Sequence, residues 1–130
     1  FLHEVPRVIR PDILLTEDGF KLTELDSVPG GIGLTAWLNQ AYSEAGFGVV
    51  GGRQGMIDGF GQLFEGATNA HVVVSEESAT YRPEMEWLTR QPTLNHIQVR
   101  DTHFQDFAEG DVVYRFFELF DLLSAVLLCA

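Results

Sequence analysis

Three carboxylates near the start of the chain have a spacing that suits a metal site. Asp12 is followed at a distance by Glu24 and Asp26, which are separated by one residue. Carboxylate oxygens are the ligands that hard cations such as Mg²⁺ prefer, especially when phosphate oxygens complete the coordination shell. These oxygens can meet only if the segments that carry them are neighbouring strands, because a strand brings alternate side chains to one face.

An antiparallel hairpin would supply such neighbouring strands. The apolar residues 13–15 and the alternating segment 20–25 predict two strands, and the three-residue loop 17–19 between them ends in glycine. A loop of this kind suits a type I turn followed by a left-handed residue. The predicted register then pairs Thr16 with Phe20.

This register places the charged residues opposite one another. Asp12 faces Glu24, Arg10 faces Asp26, and the three carboxylates emerge on the same face. Like charges that face each other across a ladder are destabilising, so a cation is expected nearby. Two alternatives remain open from spacing alone: a bound metal ion, or an Arg10–Asp26 ion pair with the other acids solvated.

A glycine-rich loop, residues 29–33, follows the hairpin and precedes a predicted amphipathic helix over residues 34–42. Backbone N–H groups of Gly30 and Gly31 at a helix N-terminus can bind an anion such as phosphate. The same glycines would also suit an ordinary turn. The apolar stripe of the predicted helix consists of Leu34, Trp37, Leu38, Ala41 and Tyr42.

The remainder of the chain alternates between helical and strand patterns. Helical spacing recurs over residues 56–64 and 84–90, and β-branched runs over residues 71–75 and 96–100 predict strands. Residues 111–120 favour a strand that could continue as a helix. This alternation indicates an α/β fold, and we expect a mixed sheet that opens with the antiparallel hairpin and carries helices packed on it.

Charged residues follow the predicted strands. Glu76 and Glu77 come directly after the strand at residues 71–75, and ligands bind at the carboxyl ends of strands in open α/β sheets. A solvated acidic loop is the alternative. Arg100 and Arg115 could bind a carboxylate or a phosphate, or could pair with neighbouring acidic residues.

Composition narrows the classes of partner. The chain has 130 residues and a net charge of −11, and Lys21 is its one lysine. Such a charge argues against non-specific binding to nucleic acid or to anionic membranes and suits cationic partners or metal ions. Cys129 is the one cysteine, which excludes a disulfide within the chain and fits a reducing, cytoplasmic compartment.

The ends of the chain suggest a part of something larger. The sequence begins at Phe1 and shows no signal-like segment, and the apolar end, residues 122–130, is far shorter than a membrane span. We therefore expect one domain over residues 1–130, a fragment of a larger enzyme. Exposed apolar area would then make a homodimer plausible.

The opening motif resembles a known family. The order Arg10-x-Asp12, hairpin, Glu24-x-Asp26, Pro/Gly loop and helix is similar to that of the glutathionylspermidine synthase-like enzymes, which have a circularly permuted ATP-grasp fold. The resemblance implies that Asp12, Glu24 and Asp26 are ligands of Mg²⁺ bound to ATP. It implies that Arg10 is a catalytic contact to phosphoryl oxygens. Asp26 stands where the family usually has asparagine, which adds a negative charge.

The resemblance continues more faintly to about residue 121. It implies that Glu76 and Glu77 bind the amine or peptide substrate, and that the chain is part of an ATP-dependent carboxylate–amine ligase. In that chemistry a carboxylate attacks the γ-phosphate of ATP, and an amine then displaces phosphate. The chain has no second lobe to clamp the nucleotide, so we expect no turnover from it alone. The alternative is a non-catalytic acidic α/β module that binds a cationic partner.

Overall fold

The computed structural model describes residues 7–26 and 29–116. The chain divides into two compact units, Phe1–Gly30 and Gly31–Ala130. The expectation of one domain over residues 1–130 stays a prediction.

The first unit contains the predicted hairpin. Strand β1, Arg10–Thr16, pairs with the antiparallel strand β2, Gly19–Asp26. The predicted loop is too long by one residue, because Thr16 pairs with Gly19 rather than with Phe20. Gly19 has a φ of 106°, a backbone conformation that residues with a Cβ rarely adopt, and this freedom permits the tighter turn.

A β-bulge at Thr23 restores the register that the charged residues need. Ile13 pairs with Leu22 but Asp12 pairs with Glu24, so Thr23 is the extra residue of β2. The hydroxyl of Thr23 donates a hydrogen bond to the backbone carbonyl of Asp12 at 3.0 Å. The predicted pairing of the acids is therefore correct, although the predicted loop is wrong, because the short turn and the bulge shift the register in opposite directions.

The hairpin has little buried surface. Its large apolar side chains are more than half exposed, and Leu15 and Phe20 are 74% and 76% exposed. A two-stranded hairpin in water is marginally stable by itself. The exposed apolar residues of its strands are Ile13, Leu14, Leu15, Phe20, Leu22 and Leu25.

The second unit has α/β architecture, which confirms the predicted fold class. Its three strands are all parallel, in the order β4-β3-β5, and the hairpin forms a sheet of its own rather than part of one mixed sheet. The elements in chain order are α1 (Ile32–Glu44), α2 (Gly55–Gln62), β3 (Ala70–Val74), a short 3-10 helix (Ala79–Tyr81), α3 (Arg82–Thr89), β4 (Ile97–Arg100) and β5 (Val112–Phe116). The predicted helix after residue 116 lies outside the described residues.

The helices cover one face of the parallel sheet. Phe60 of α2 meets Tyr114 of β5 with ring centroids 5.4 Å apart, and Tyr81 meets Phe116 at 5.2 Å. All five residues of β3 are buried, as its continuous apolar run predicts. The largest fully buried side chains are Ile57, Met85, Leu88, Leu94, Val72 and Val74.

The opposite face of β3 is covered by a connection without regular secondary structure. Because β4 and β5 lie on either side of β3, the chain must cross that strand between residues 101 and 111. Phe104 and Phe107 of this crossing segment contact the ring of His71, both with centroids 5.3 Å away. The crossing segment therefore buries His71 inside an aromatic layer.

Helix α1 buries a different face from the predicted stripe. Leu34, Trp37 and Tyr42 are 50% to 55% exposed. The buried residues are Ile32, Gly33 and Ala36. A Cβ atom at Gly33 would lie 2.4 Å from the carbonyl oxygen of Glu84, so a glycine is required for α1 to approach α3. The small residues Gly33 and Ala36 are thus buried together with Ile32, whereas Leu34, Trp37 and Tyr42 stay exposed.

No helix within residues 7–26 and 29–116 combines the length and the apolar character that crossing a membrane requires.

Candidate functional site

Arg10 lies among the carboxylates of the hairpin and forms two ion pairs. Its Nε lies 3.1 Å from Oδ1 of Asp12, and its Nη2 lies 3.3 Å from Oδ2 of Asp26. Its Nη1 donates to the carbonyl of Gly30 at 3.2 Å. The Arg10–Asp26 pair that was one alternative in the sequence is present, and the same guanidinium also holds Asp12.

Glu24 is the acid that Arg10 does not neutralise. It lies directly opposite Asp12 in the ladder, and its side chain has neither an ion pair nor a hydrogen bond within the described part of the chain. Two carboxylates therefore share one cross-strand position while a single guanidinium contacts only one of them. Like charges in this arrangement repel each other.

The chemistry of these oxygen donors suits a hard cation, but their present placement is not a complete metal site. Across residues 7–26 and 29–116, no three Asp, Glu, His or Cys side chains are grouped so that they could hold a metal ion. Arg10 holds both Asp12 and Asp26, and Asp12 and Glu24, which face each other across the ladder, are the pair that could share an ion once Asp12 leaves Arg10. The assignment of Asp12, Glu24 and Asp26 as metal ligands stays a prediction.

The glycine-rich loop already has an anion at the start of α1, supplied by the chain itself. Gly31, with a φ of 83°, donates its N–H to Oε1 of Glu84 at 2.8 Å, and Leu34 donates to Oε2 at 2.9 Å. A carboxylate at this end of a helix satisfies N–H groups that have no partner within the helix. The amide of Gly31, predicted to bind phosphate, is thus bonded to Glu84, a role for this glutamate that no sequence pattern predicted.

Glu76 and Glu77 are exposed in the turn that follows β3. The turn is held by backbone and serine groups: Ala79 donates to the carbonyl of Glu76, and Ser78 donates its N–H to the hydroxyl of the buried Ser75. The predicted substrate-binding role of the two glutamates stays a prediction.

The face of β3 that the crossing segment covers also carries a network of hydrogen-bonded polar side chains, which the sequence patterns did not predict. Asp111 accepts hydrogen bonds from the Asn69 amide at 2.6 Å and from the backbone N–H of Ala108 at 2.8 Å. Nε2 of His71 lies 3.1 Å from its Oδ2, and the two side chains are 5% and 4% exposed. Arg100 is the last member of this network, and its Nε donates a hydrogen bond to Nδ1 of His71 at 3.4 Å.

These contacts fix the charge of Asp111 and the tautomer of His71. The N–H of Ala108, the Asn69 amide and His71 together hold the pKa of Asp111 below its ordinary value of 3.8, although burial acts in the opposite direction. Because an arginine can only donate, Nδ1 of His71 must be the acceptor, and Nε2 then carries the hydrogen that Asp111 accepts. The partners are separated by 40 residues in sequence, so no local spacing could have revealed them.

No protein-family model matches the chain, and no curated protein or solved structure matches it at a significant level.

Proposed function

We propose that the hairpin is the phosphate-binding half of a Mg–ATP site in an ATP-dependent carboxylate–amine ligase. The observation that supports this most is the ladder pair Asp12–Glu24, two facing carboxylates of which Glu24 has no cationic partner within the described residues. The proposal adds to this pair the resemblance of the Arg10-x-Asp12 and Glu24-x-Asp26 motifs to the glutathionylspermidine synthase-like family.

The bulge supports the proposal because it places Asp12 directly opposite Glu24, so that two negative charges face each other. Without the extra Thr23, the register of the turn would place Asp12 opposite Thr23 and leave Glu24 opposite Pro11. Bulges are frequent beside active sites, where they redirect side chains. A feature that brings two like charges together costs stability unless a ligand makes use of it.

Each residue then has a distinct role. Asp12 and Glu24 would hold Mg²⁺, which would neutralise part of the negative charge of the phosphate groups. Arg10 would exchange its ion pair with Asp12 for phosphoryl oxygens, for which its planar guanidinium is suited. Asp26 would keep Arg10 oriented during this exchange, a role that asparagine could fill less strongly.

Calorimetry on the intact protein tests this site. We expect Mg²⁺-dependent binding of ATP by the wild type, and a loss of about tenfold or more in the variant D12N/E24Q. The matched control is E17Q/D18N, which removes the same charge from the exposed turn of the same hairpin and should bind as the wild type does.

Two results would contradict the proposal. One is equal binding by D12N/E24Q and the wild type, and the other is no Mg²⁺-dependent binding by the wild type. If ATP does not bind but a cationic peptide binds to both the wild type and E17Q/D18N, the acidic binding module replaces the ligase.

A further inference from the structure

A cavity of about 500 Å³ opens at the carboxyl end of β4 in the second unit. The connection that follows β3 continues into α3 on the helical face, whereas the connection that follows β4 crosses the opposite face. Crevices between strands whose connections diverge in this way are the usual ligand sites of open α/β sheets. Its lining includes Arg82, Arg100, Asp101, Phe104 and Asp106.

Arg82 is held at this edge by the sheet itself. Its Nη2 donates to the carbonyls of Val74 and Arg100 at 3.3 and 3.1 Å, which are the last residues of β3 and β4. Its Nε and Nη1 groups have no partner among the described residues. A positive charge at the first residue of a helix is unfavourable in the field of the helix dipole, and the two bonds to strand carbonyls offset this cost for Arg82 at the start of α3.

The side chain of Arg100 is held in place by contacts on several sides, more than those that hold Arg82. Nδ1 of His71 and the amide oxygen of Gln98 accept from its Nε and Nη2, and its guanidinium carbon lies 3.9 Å above the centre of the Phe104 ring. His71 is fixed in turn by Asp111. The guanidinium is therefore positioned before any ligand arrives, which lowers the entropy lost on binding.

The cavity also has two carboxylates. Asp101 and Asp106 are exposed at its rim, and Asp101 accepts one hydrogen bond, from the backbone N–H of His103 at 2.9 Å. Two guanidinium and two carboxylate groups thus face one space. An entirely anionic ligand would meet the two acids, and an entirely cationic ligand would meet the two arginines.

We infer that this cavity binds a zwitterionic amino acid or short peptide. Arg82 and Arg100 receive its carboxylate, and Asp101 and Asp106 receive its ammonium group. Phe104, which also lines the cavity, offers apolar surface for the body of the ligand. The inference does not depend on the function proposed for the hairpin, since every residue that carries it belongs to the second unit.

Three small peptides that differ only in charge test the inference on the intact protein. Glycylglycine has both charges, N-acetylglycylglycine lacks the ammonium, and glycylglycinamide lacks the carboxylate. We expect glycylglycine to bind about tenfold or more tightly than either blocked peptide, in calorimetry or in amide chemical-shift titrations. The shifted amides should be those of residue 82 and residues 99–106.

Variants separate the two halves of the site. Arg100→Gln should weaken glycylglycine about tenfold or more and reduce its advantage over glycylglycinamide, and Asp106→Asn should reduce its advantage over N-acetylglycylglycine. The matched control is Arg90→Gln, an exposed arginine of the surface just after α3. If Arg100→Gln does not fold, Asp106→Asn still gives a decisive comparison because that side chain is exposed.

Equal binding of all three peptides, or no binding of glycylglycine at millimolar concentration, overturns the inference. Shifts confined to the hairpin overturn it as well. The hairpin variant D12N/E24Q should bind glycylglycine as the wild type does, so failure of the ATP site and failure of this cavity give different results.

Discussion

Acidic residues in the two units have opposite surroundings. In the second unit, Glu84 accepts two backbone N–H groups and Asp111 accepts hydrogen bonds from Asn69 and Ala108. In the hairpin, Asp12 faces another carboxylate across the ladder. The first arrangement uses negative charge to satisfy hydrogen-bond donors of the fold, whereas in the second Arg10 offsets the charge of Asp12 and leaves the facing Glu24 without an ion pair among the described residues. Under the proposed function, this difference separates acids that hold the fold together from acids that bind a ligand.

The largest expected effect contrasts the cores of the two units. Met85 is fully buried between α3 and its neighbours, and its replacement by alanine should lower the free energy of unfolding by about 2–5 kcal/mol. Leu15→Ala removes a similar volume from the exposed hairpin and should change it by less than about 0.5 kcal/mol. Urea unfolding followed by circular dichroism measures both. Similar losses in the two variants would show that the hairpin is packed as firmly as the sheet.

A second comparison replaces one glutamate in each unit by glutamine: Glu84 at the start of α1, and Glu24 in the hairpin. Glu84→Gln weakens two charge-assisted hydrogen bonds at the start of α1 and should cost about 1.5–3 kcal/mol of unfolding free energy. Glu24→Gln removes repulsion from Asp12 and should be neutral or stabilise by about 0.2–1 kcal/mol. A clear loss of stability in Glu24→Gln would contradict the view that this acid has no structural role.

The contact between α1 and α3 gives a third test, because it depends on the absence of one Cβ. Gly33→Ala would place that atom 2.4 Å from the carbonyl oxygen of Glu84 and should cost about 1–3 kcal/mol. Gly59→Ala in α2 is the control, since no atom lies within 4 Å of its added Cβ and a helix interior favours alanine by about 0.5–1 kcal/mol. Thermal unfolding should therefore move in opposite directions for the two variants, and a gain in both would refute the close contact.

The smallest effect is a dependence on pH. The folded pKa of Asp111 is below its unfolded value, so its stabilising contribution is present above about pH 3.8 and is lost as the pH falls through the folded pKa. Asp111→Asn should lower stability at neutral pH and flatten the loss of stability in acid. Denaturant midpoints from pH ~6 to ~2 measure this. Glu65→Gln, at an exposed acid of the same unit, should keep the acid dependence of the wild type.

Local patterns predicted the elements of the fold well, because period and turn chemistry act within a few residues. Strands β3 and β4 and all three helices lie within about two residues of their predicted bounds. The buried face of α1 was predicted wrongly, because the packing partner, Glu84 and its backbone, decides which face can approach. The number and spacing of apolar residues in α1 do not show which face can approach α3.

The candidate site was predictable only in part. The pairing of Asp12 with Glu24 was predicted correctly only because two errors cancel: the turn is one residue shorter than predicted, and the bulge at Thr23 adds one residue to β2. Neither the short turn nor the bulge has a strong sequence signal. The role proposed for Arg82 has a weak sequence signal, because a cation at the first residue of a helix is unfavourable and therefore unusual. The Asp111–His71 contact could not, since only the crossing of β3 brings those residues together.

The proposed function requires that the facing carboxylates of the hairpin hold the metal of a bound nucleotide. The most direct measurement adds Mn²⁺ and ATP to the ¹⁵N-labelled intact protein and records which amide signals its paramagnetism broadens. We expect broadening centred on Asp12 and Glu24, dependent on ATP and absent in D12N/E24Q. Broadening centred elsewhere, or the same broadening without ATP and in D12N/E24Q, would contradict it.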